Sequence, residues 1–351
     1  VISLGEIFGQ EGALELLGRM RRSGRIPHAL LFHGPEGVGK GSVALAFAAA
    51  LLCEDPQATG ACGLCAACRM VRAGSHPDLL VVTRLPKKST AAATVEEGAE
   101  AEDLSTFIVV QQIRELTRLA ALAPRRGRRR VFLLDPADRM NFEAQNALLK
   151  TLEEPPGSAL LILVASRPHQ LLATVRSRST SVGFAALRVR DLAARLAARG
   201  MPLEEAMTRA ALAEGRPGRA LALDPERERL IRERVIEALE SLSGPRPAIG
   251  RLTEIAEGIA GKTETHFAEH IDMLTVLLRD AARASMRSDD PALVHADLAT
   301  RLGELGGRLD PVRVAGLLSG IDRLRAGARL NLNRLLAVEA LLAAVAGGPL
   351  P

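Results

Sequence analysis

Apolar residues in this chain fall into two kinds of run. Short ones, bounded by polar, Gly or Pro residues, are His28-Ala29-Leu30-Leu31-Phe32-His33, Asp78-Leu79-Leu80-Val81-Val82-Thr83, Val131-Phe132-Leu133-Leu134-Asp135, Ala159 to Ala165, and Thr180-Ser181-Val182-Gly183-Phe184. Each predicts a strand, the first of them a buried one and Ala159 to Ala165 the most apolar. Between them the spacing becomes helical: over 11–24, where Leu14, Leu16, Leu17 and Met20 make one apolar stripe, and over 40–52, 108–122 and 141–153. Apolar strands alternating with helices predict a parallel sheet covered on both faces. Past residue 186 the strand pattern stops. Short helices are predicted over 187–223, punctuated by Gly200-Met201-Pro202 and Gly215-Arg216-Pro217-Gly218. Long Leu/Ala/Arg helices with no fixed repeat follow from about 226. Residues 84–105, rich in Ala, Glu and Thr without periodicity, predict a mobile surface insertion.

Composition narrows the picture. A length of 351 residues predicts two or three domains. Aromatics make up 2%, with no Trp or Tyr, so the cores must be built from Leu, Ala, Val and Ile, and a base-stacking nucleic-acid platform is excluded. The net charge of +5 permits contact with nucleic acid without requiring it. No apolar run is long enough for a membrane span, and Val1-Ile2-Ser3-Leu4-Gly5-Glu6 lacks the features of a signal peptide; the expected location is the cytoplasm, where cysteines stay reduced.

Two motifs speak of nucleotide chemistry. Gly34-Pro35-Glu36-Gly37-Val38-Gly39-Lys40-Gly41 has the glycines and lysine of a phosphate-binding loop, but glycine stands at 41 where a Ser or Thr hydroxyl should hold Mg²⁺. Ser42 lies one residue, about 100° of helix, further round. The strand ending Leu133-Leu134-Asp135 matches the acid that orients hydrated magnesium; alternatively Asp135 caps the following turn. Pro136 stands where active ATPases usually carry a glutamate that activates water, and Asp138 is three residues on. Two separate losses predict little or no hydrolysis by this chain.

All four cysteines, Cys53, Cys62, Cys65 and Cys68, lie in one segment, a spacing that suits a closed tetrahedral Zn²⁺ shell and hence a structural site. The alternative is four unrelated buried thiols. Arg69, Arg72 and His76 follow, and positive charge there would offset a zinc tetrathiolate. In Thr174-Val175-Arg176-Ser177-Arg178-Ser179 the arginines either reach a neighbouring subunit's phosphates or are simply solvated. Arg125-Arg126-Gly127-Arg128-Arg129-Arg130 reads as a solvated basic loop, with DNA phosphates as the other reading.

Taken in order, Ile26-Pro27-His28-Ala29-Leu30-Leu31-Phe32, the glycine loop, the cysteine segment, Asp135-Pro136-Ala137-Asp138-Arg139-Met140, Asn146-Ala147-Leu148-Leu149-Lys150-Thr151-Leu152-Glu153-Glu154-Pro155-Pro156 and Ser177-Arg178-Ser179 resemble the bacterial clamp-loader subunits, AAA+ proteins of the DNA polymerase III complex. Motif coverage runs from about 7 to 222, and Asn331 to Leu342 resembles a last collar helix. The degenerate loop with a retained arginine is similar to the delta-prime branch rather than to the gamma and tau motors. The resemblance implies an AAA+ parallel-sheet domain over 1–185 with a zinc module at 53–68, a helical lid over 186–225, and a helical collar over 226–351 that assembles a hetero-pentamer. It implies Arg178 as an arginine finger offered in trans, Ser166 and Arg219 as first and second sensors, and Gly34, Gly37, Gly39, Lys40 and Asp135 as a degenerate site that holds ATP weakly or not at all. Ser179 replaces the cysteine usual after the finger. Implied partners are the gamma/tau motors, the delta subunit, the sliding clamp and primer-template DNA, with no membrane. The rival readings are an ATP-hydrolysing gamma/tau-like motor with Ser42 recruited to the metal, and a zinc-dependent DNA-binding protein.

Overall fold

The short apolar runs form five strands, β1 (Ala29–His33), β2 (Leu79–Val82), β3 (Arg130–Leu134), β4 (Ala159–Ala165) and β5 (Thr180–Gly183). They pair in the order β2-β3-β4-β1-β5, every pairing parallel. The computed structural model describes residues 7, 9–85, 105, 107–244, 248–287, 293–327 and 333–347. The predicted insertion at 84–105 lies almost entirely outside the described residues.

Side chains alternate across the sheet as the period of two requires. Leu30, Phe32, Val131, Leu133, Leu160, Ile162 and Val164 pack on one side with residues of α1 (Glu11–Ser23) and α2 (Lys40–Leu52), among them Leu17, Val43 and Phe47. After α3 (Ala66–Arg72) come α4 (Val110–Ala120) and α5 (Phe142–Glu153), which cover the other side, where Ile113, Leu116, Leu148 and Leu152 meet Leu31, Phe132, Leu134, Leu161 and Leu163. Burial on both sides explains why β4, buried along its whole length, reads as an unbroken apolar run. The helix boundaries have local causes. Gly24 ends α1 in a left-handed conformation at φ 70°, and the Asn141 side chain caps α5 by accepting the Ala144 N–H at 2.9 Å. Helix α3, seven residues in the cysteine segment, has no counterpart in the predicted pattern, being too short to show a period. The short α6 (Ala173–Ser177) leads into β5.

Two compact units divide the chain, Val1–Leu221 and Ala222–Pro351. The first includes α7 (Val189–Ala197) and α8 (Leu203–Leu212), and α9 (Pro217–Ala222) ends at its boundary. The second is helical throughout its described residues: α10 (Pro225–Ser243), α11 (Leu252–Ala260), α12 (Glu264–Met286), α13 (Ala299–Leu309), α14 (Pro311–Gly327) and α15 (Arg334–Val345). Within it, Gly306 of α13 lies directly against the Ala281 carbonyl of α12, a closeness that any side chain would prevent. Arg301 forks onto Glu240 at 2.5 and 2.8 Å and reaches Glu233 at 3.1 Å, tying α13 to α10.

One expectation is corrected. The basic run 125–130 is not wholly solvated, because Arg130 opens β3 and is only 4% exposed. Its guanidinium donates to the Leu119 and Ala123 carbonyls at 2.8 and 3.1 Å and lies 3.7 Å from the Asp78 carboxylate at the start of the neighbouring strand. Asp78, itself fully buried, accepts the backbone N–H groups of Arg125, Arg126 and Gly127 at 2.6, 2.7 and 2.9 Å. Burial alone would push the Asp78 carboxyl up; the N–H donors outweigh it and hold the group below its usual range. Its stabilisation is therefore present above the usual carboxylate pKa of about 4 and is lost only as pH falls below that range. Removing the carboxylate strands three N–H groups and a buried guanidinium, so Asp78→Ala is expected to cost about 3 kcal/mol or more in chemical denaturation at neutral pH. A cost under about 1 kcal/mol would show that the loop is not held this way.

Candidate functional site

The C-terminal ends of β1, β4 and β3 lie side by side, which brings together three motifs far apart in sequence: the glycine loop after β1, Ser166 after β4 and Asp135 after β3. The loop needs its glycines. Gly34, Gly37 and Gly39 have φ of 146°, 79° and 98°, in the region that side chains disfavour, and a Cβ on Gly34 would run into the Phe184 carbonyl. Gly39 is followed at once by α2, so the loop presents a helix N-terminus, the usual setting for a phosphate.

What the lysine does is different from the expectation for a working site. Lys40 is buried, and its Nζ donates to the Gly34 and Pro35 carbonyls at 2.8 and 2.6 Å and sits 3.1 Å from Ser166 Oγ. The ammonium is thus engaged by its own loop. Asp135 points at the bare Cα of Gly41: a Cβ added there would collide with Asp135 Oδ2. The carboxylate fills the space where a metal-binding hydroxyl would begin, and Ser42 is exposed. Burial pushes the Asp135 carboxyl up to about 6; Lys40 pulls it back, while Asp138 and Glu36 add to the rise. Burial lowers the Lys40 pKa, opposed by the charges of Asp135, Glu36 and Asp138. Asp138 is a bystander in the sequence; in the fold it is buried, and its Oδ1 accepts the Ser166 N–H at 3.3 Å. Nothing in its spacing announces this, since a 3₁₀ turn over Ala137–Arg139 swings it back toward the loop.

Two further contacts hold the loop. The Gly37 carbonyl accepts the Gly218 N–H of α9 at 2.8 Å, and a side chain on Gly37 would meet Arg219 at 3.4 Å, so Arg219 does stand beside the loop. Gln10, which the sequence did not single out, is buried and donates to the Val38 carbonyl at 3.3 Å and the Ala185 carbonyl at 2.8 Å. A polar side chain immediately before a helix was the one available signal.

The four cysteines converge. Their sulfurs all lie within 4.8 Å of one another, with Cys53–Cys65, Cys62–Cys68 and Cys53–Cys68 at 3.8, 3.9 and 3.6 Å. A tetrahedron of Zn–S bonds near 2.3 Å has S···S edges of about 3.8 Å. Backbone N–H groups of Cys62, Cys65 and Cys68 point at the sulfurs of Cys53, Cys62 and Cys65 at 3.3 to 3.4 Å, an arrangement that stabilises thiolates. Burial opposes ionisation of Cys65, yet N–H donors and neighbouring sulfurs bring it down to about 6, while burial first and then its sulfur neighbours push Cys68 up to about 12. So crowded a set of thiols suits a dication. Arg69 and Arg72 donate to the Leu64 and Gly63 carbonyls at 2.7 and 3.0 Å, closing the loop around the sulfurs. His76 does not supply the expected positive charge: it is buried, its Nδ1 accepts the Asp78 N–H at 3.1 Å, and burial lowers its pKa.

Arg178 stands at the opposite end of the sheet, just before β5. It is partly exposed, and its guanidinium pairs with Glu153 at the end of α5 at 3.0 Å. Its exposed neighbour Arg176 belongs to α6.

The model of the family described as DNA polymerase III, delta subunit, matches residues 9–188. The chain is 33% identical to the DNA polymerase III subunit delta-prime of Pseudomonas aeruginosa over 99% of this chain and 100% of that protein. It is 30% identical to the Escherichia coli subunit delta-prime over 87% of this chain and 84% of that one. Against the Escherichia coli subunit tau the identity is 33%, over 54% of this chain and 26% of the relative.

The raised carboxyl at the glycine loop has a consequence for stability. An unfolded Asp titrates near about 4, so a folded value of about 6 means that the contribution of Asp135 is full below about pH 4 and is lost as pH rises through 6. Asn cannot titrate. Between about pH 4.5 and pH 8 the wild type is therefore expected to lose more unfolding free energy than Asp135→Asn, measured by denaturant titration at fixed salt. Equal losses would mean that the carboxyl is already ionised at the lower pH.

Proposed function

The chain belongs to the DNA polymerase III delta-prime family, and on that basis we propose that it is a clamp-loader subunit that completes a neighbour's ATPase site while hydrolysing little or no ATP itself. The observation that carries this reading is the Asp135 carboxylate lying against the bare Gly41. A P-loop ATPase needs a hydroxyl and an acid to share one Mg²⁺; here the hydroxyl is missing and the acid fills its place. When bound, ATP would supply its own phosphates to the loop amides of Gly37 and Gly39 and to Lys40, which must first leave the Gly34 and Pro35 carbonyls. That exchange makes binding weak, and the motor reading, with Ser42 recruited to the metal, gains nothing from an exposed Ser42.

Strand polarity supports a trans role for Arg178. Arg178 precedes β5, and Gly183 at the far end of β5 pairs with His33 beside the glycine loop. Four residues of strand separate the two ends by about 13 Å, so the guanidinium is directed away from its own loop. An arginine supplied in trans can be worth roughly 10³–10⁵ in rate in other phosphoryl-transfer systems. Ser166 and Arg219 keep the places of first and second sensor at this degenerate loop, with the Ser166 N–H held by Asp138. In this reading the chain works in the cytoplasm within a hetero-pentamer with gamma/tau motors and a delta subunit, serving the sliding clamp and primer-template DNA. Residues 1–185 form the AAA+ domain, 186–225 the lid and 226–351 the collar. The cysteine set fits a closed structural Zn²⁺ held by Cys53, Cys62, Cys65 and Cys68, with no position left for catalysis.

Arg178→Ala is expected to leave co-elution with motor and delta subunits unchanged and to lower ATP turnover of the assembled loader several-fold or more, with no rescue by Arg178→Lys because the planar fork is lost. Normal assembly with normal turnover would remove the finger. Purified protein is expected to carry stoichiometric zinc, and stripping it should lower the thermal midpoint while leaving the isolated chain's ATPase at background; absence of zinc would end the metal assignment.

A further inference from the structure

Helix α5 ends on Glu153, a carboxylate at the C-terminal end of a helix, where the helix dipole disfavours negative charge. The fold supplies it with a cation: the Arg178 guanidinium places Nη2 3.0 Å from Glu153 Oε1. Arg178 directly follows α6, and its Nη1 donates to the Thr174 carbonyl of that helix at 3.3 Å. One side chain thus spans two helix ends. With each terminal nitrogen drawn to a fixed group, the plane of the fork is set. A guanidinium carries five N–H groups, so donors remain for a phosphate.

The backbone beneath the arginine is fastened to the same helix. Gln145 of α5 is buried; its Oε1 accepts the Leu172 N–H at 2.7 Å and its Nε2 donates to the Gln170 carbonyl at 3.2 Å, which pins the start of α6. Leu171 and Val175 pack into the core with Leu148 and Leu152. Beyond Arg178, Ser179 Oγ donates to the Val175 carbonyl at 2.9 Å and closes the last turn. Helix α5 therefore holds α6 at both ends, by an amide at one and a carboxylate at the other. Arg176, on the same short helix, is exposed and has no carboxylate partner among the described residues. Arg178 is the one given a direction. As a support of the fold the pair counts for little, because its side chains are 37% and 51% exposed and ion pairs open to water are weak. What the contact does is narrow the rotamers of a long side chain. Orientation is what a group acting on a transferring phosphate must have.

We propose that Glu153 is the positioning residue for Arg178, holding its guanidinium in the direction that serves a neighbouring subunit's ATP. This rests on the trans role proposed above, and the test keeps the two apart. The full chain is assembled with motor and delta subunits, and ATP turnover is compared across variants. Glu153→Ala should lower kcat about tenfold, less than loss of the finger itself, with KM for ATP and co-elution unchanged, because the finger acts on the transition state. Glu153→Gln keeps an acceptor oxygen and should recover much of that loss. Glu154→Ala removes the same charge one residue on, from an exposed side chain, and should turn over as the wild type does. In Glu153→Ala/Arg178→Ala the first change should add nothing to the loss caused by the second. The thermal midpoint of the isolated Glu153→Ala chain should move by under about 3 °C. A merely structural role would instead lower turnover a second time in the double variant and shift the midpoint. Normal kcat for Glu153→Ala beside a slow Arg178→Ala overturns the proposal and leaves the finger in place; normal turnover for Arg178→Ala removes both. Faster turnover for Glu153→Ala would make the carboxylate a restraint on the finger, and lost co-elution would make it an interface contact. Either result overturns positioning.

Discussion

A parallel sheet has two unlike ends. Every strand here runs the same way, so residues that follow strands collect at one end and residues that precede them collect at the other. The glycine loop, Ser166 and Asp135 all follow strands; Arg178, Asp78 and the basic loop all precede them. With four to seven residues per strand, the two sets are held more than one side-chain length apart. Chemistry at one end cannot be completed by an arginine of the other end of the same chain. That geometry is what the proposed trans role of Arg178 rests on.

At the end that bears the loop, the glycine loop satisfies its own polar groups. Backbone carbonyls in a loop of this curvature would normally look to water, and here they take the Lys40 ammonium instead. The bare Cα at Gly41 leaves a gap that Asp135 fills, where burial raises its pKa and weakens it as a metal ligand. Contacts from α9 and Gln10 then brace the loop in this form. Rigidity without turnover is what the proposed role asks of a subunit, whose use lies in holding an arginine in place for another.

At the opposite end, two small polar centres add order to that given by the hydrophobic core. Asp78 gathers a loop, a buried arginine and the start of β2; the four sulfurs gather a segment of otherwise short, irregular backbone. Both depend on charges that would be costly to bury alone. N–H donors compensate the first, and the second has the donor set to take a dication.

Much of this was legible in the sequence. Strands β1, β3 and β4 announce themselves because a doubly covered strand must be apolar on both sides, β2 and β5 less plainly because they are more exposed, and α2 does so because its Ala and Leu residues both favour helix and pack closely. The cysteine spacing and the missing hydroxyl at 41 are likewise local facts, readable from neighbours along the chain. What local pattern could not carry was the pairing of distant groups. That Asp78 holds the loop before β3, that Arg130 is buried rather than solvated, that Asp138 returns to the glycine loop, and that Glu153 takes Arg178 are all consequences of strand order. Sequence determined which groups this protein possesses; only the tertiary fold decided which of them share a low-dielectric space, because that is where a charge must find its partner or give up its proton.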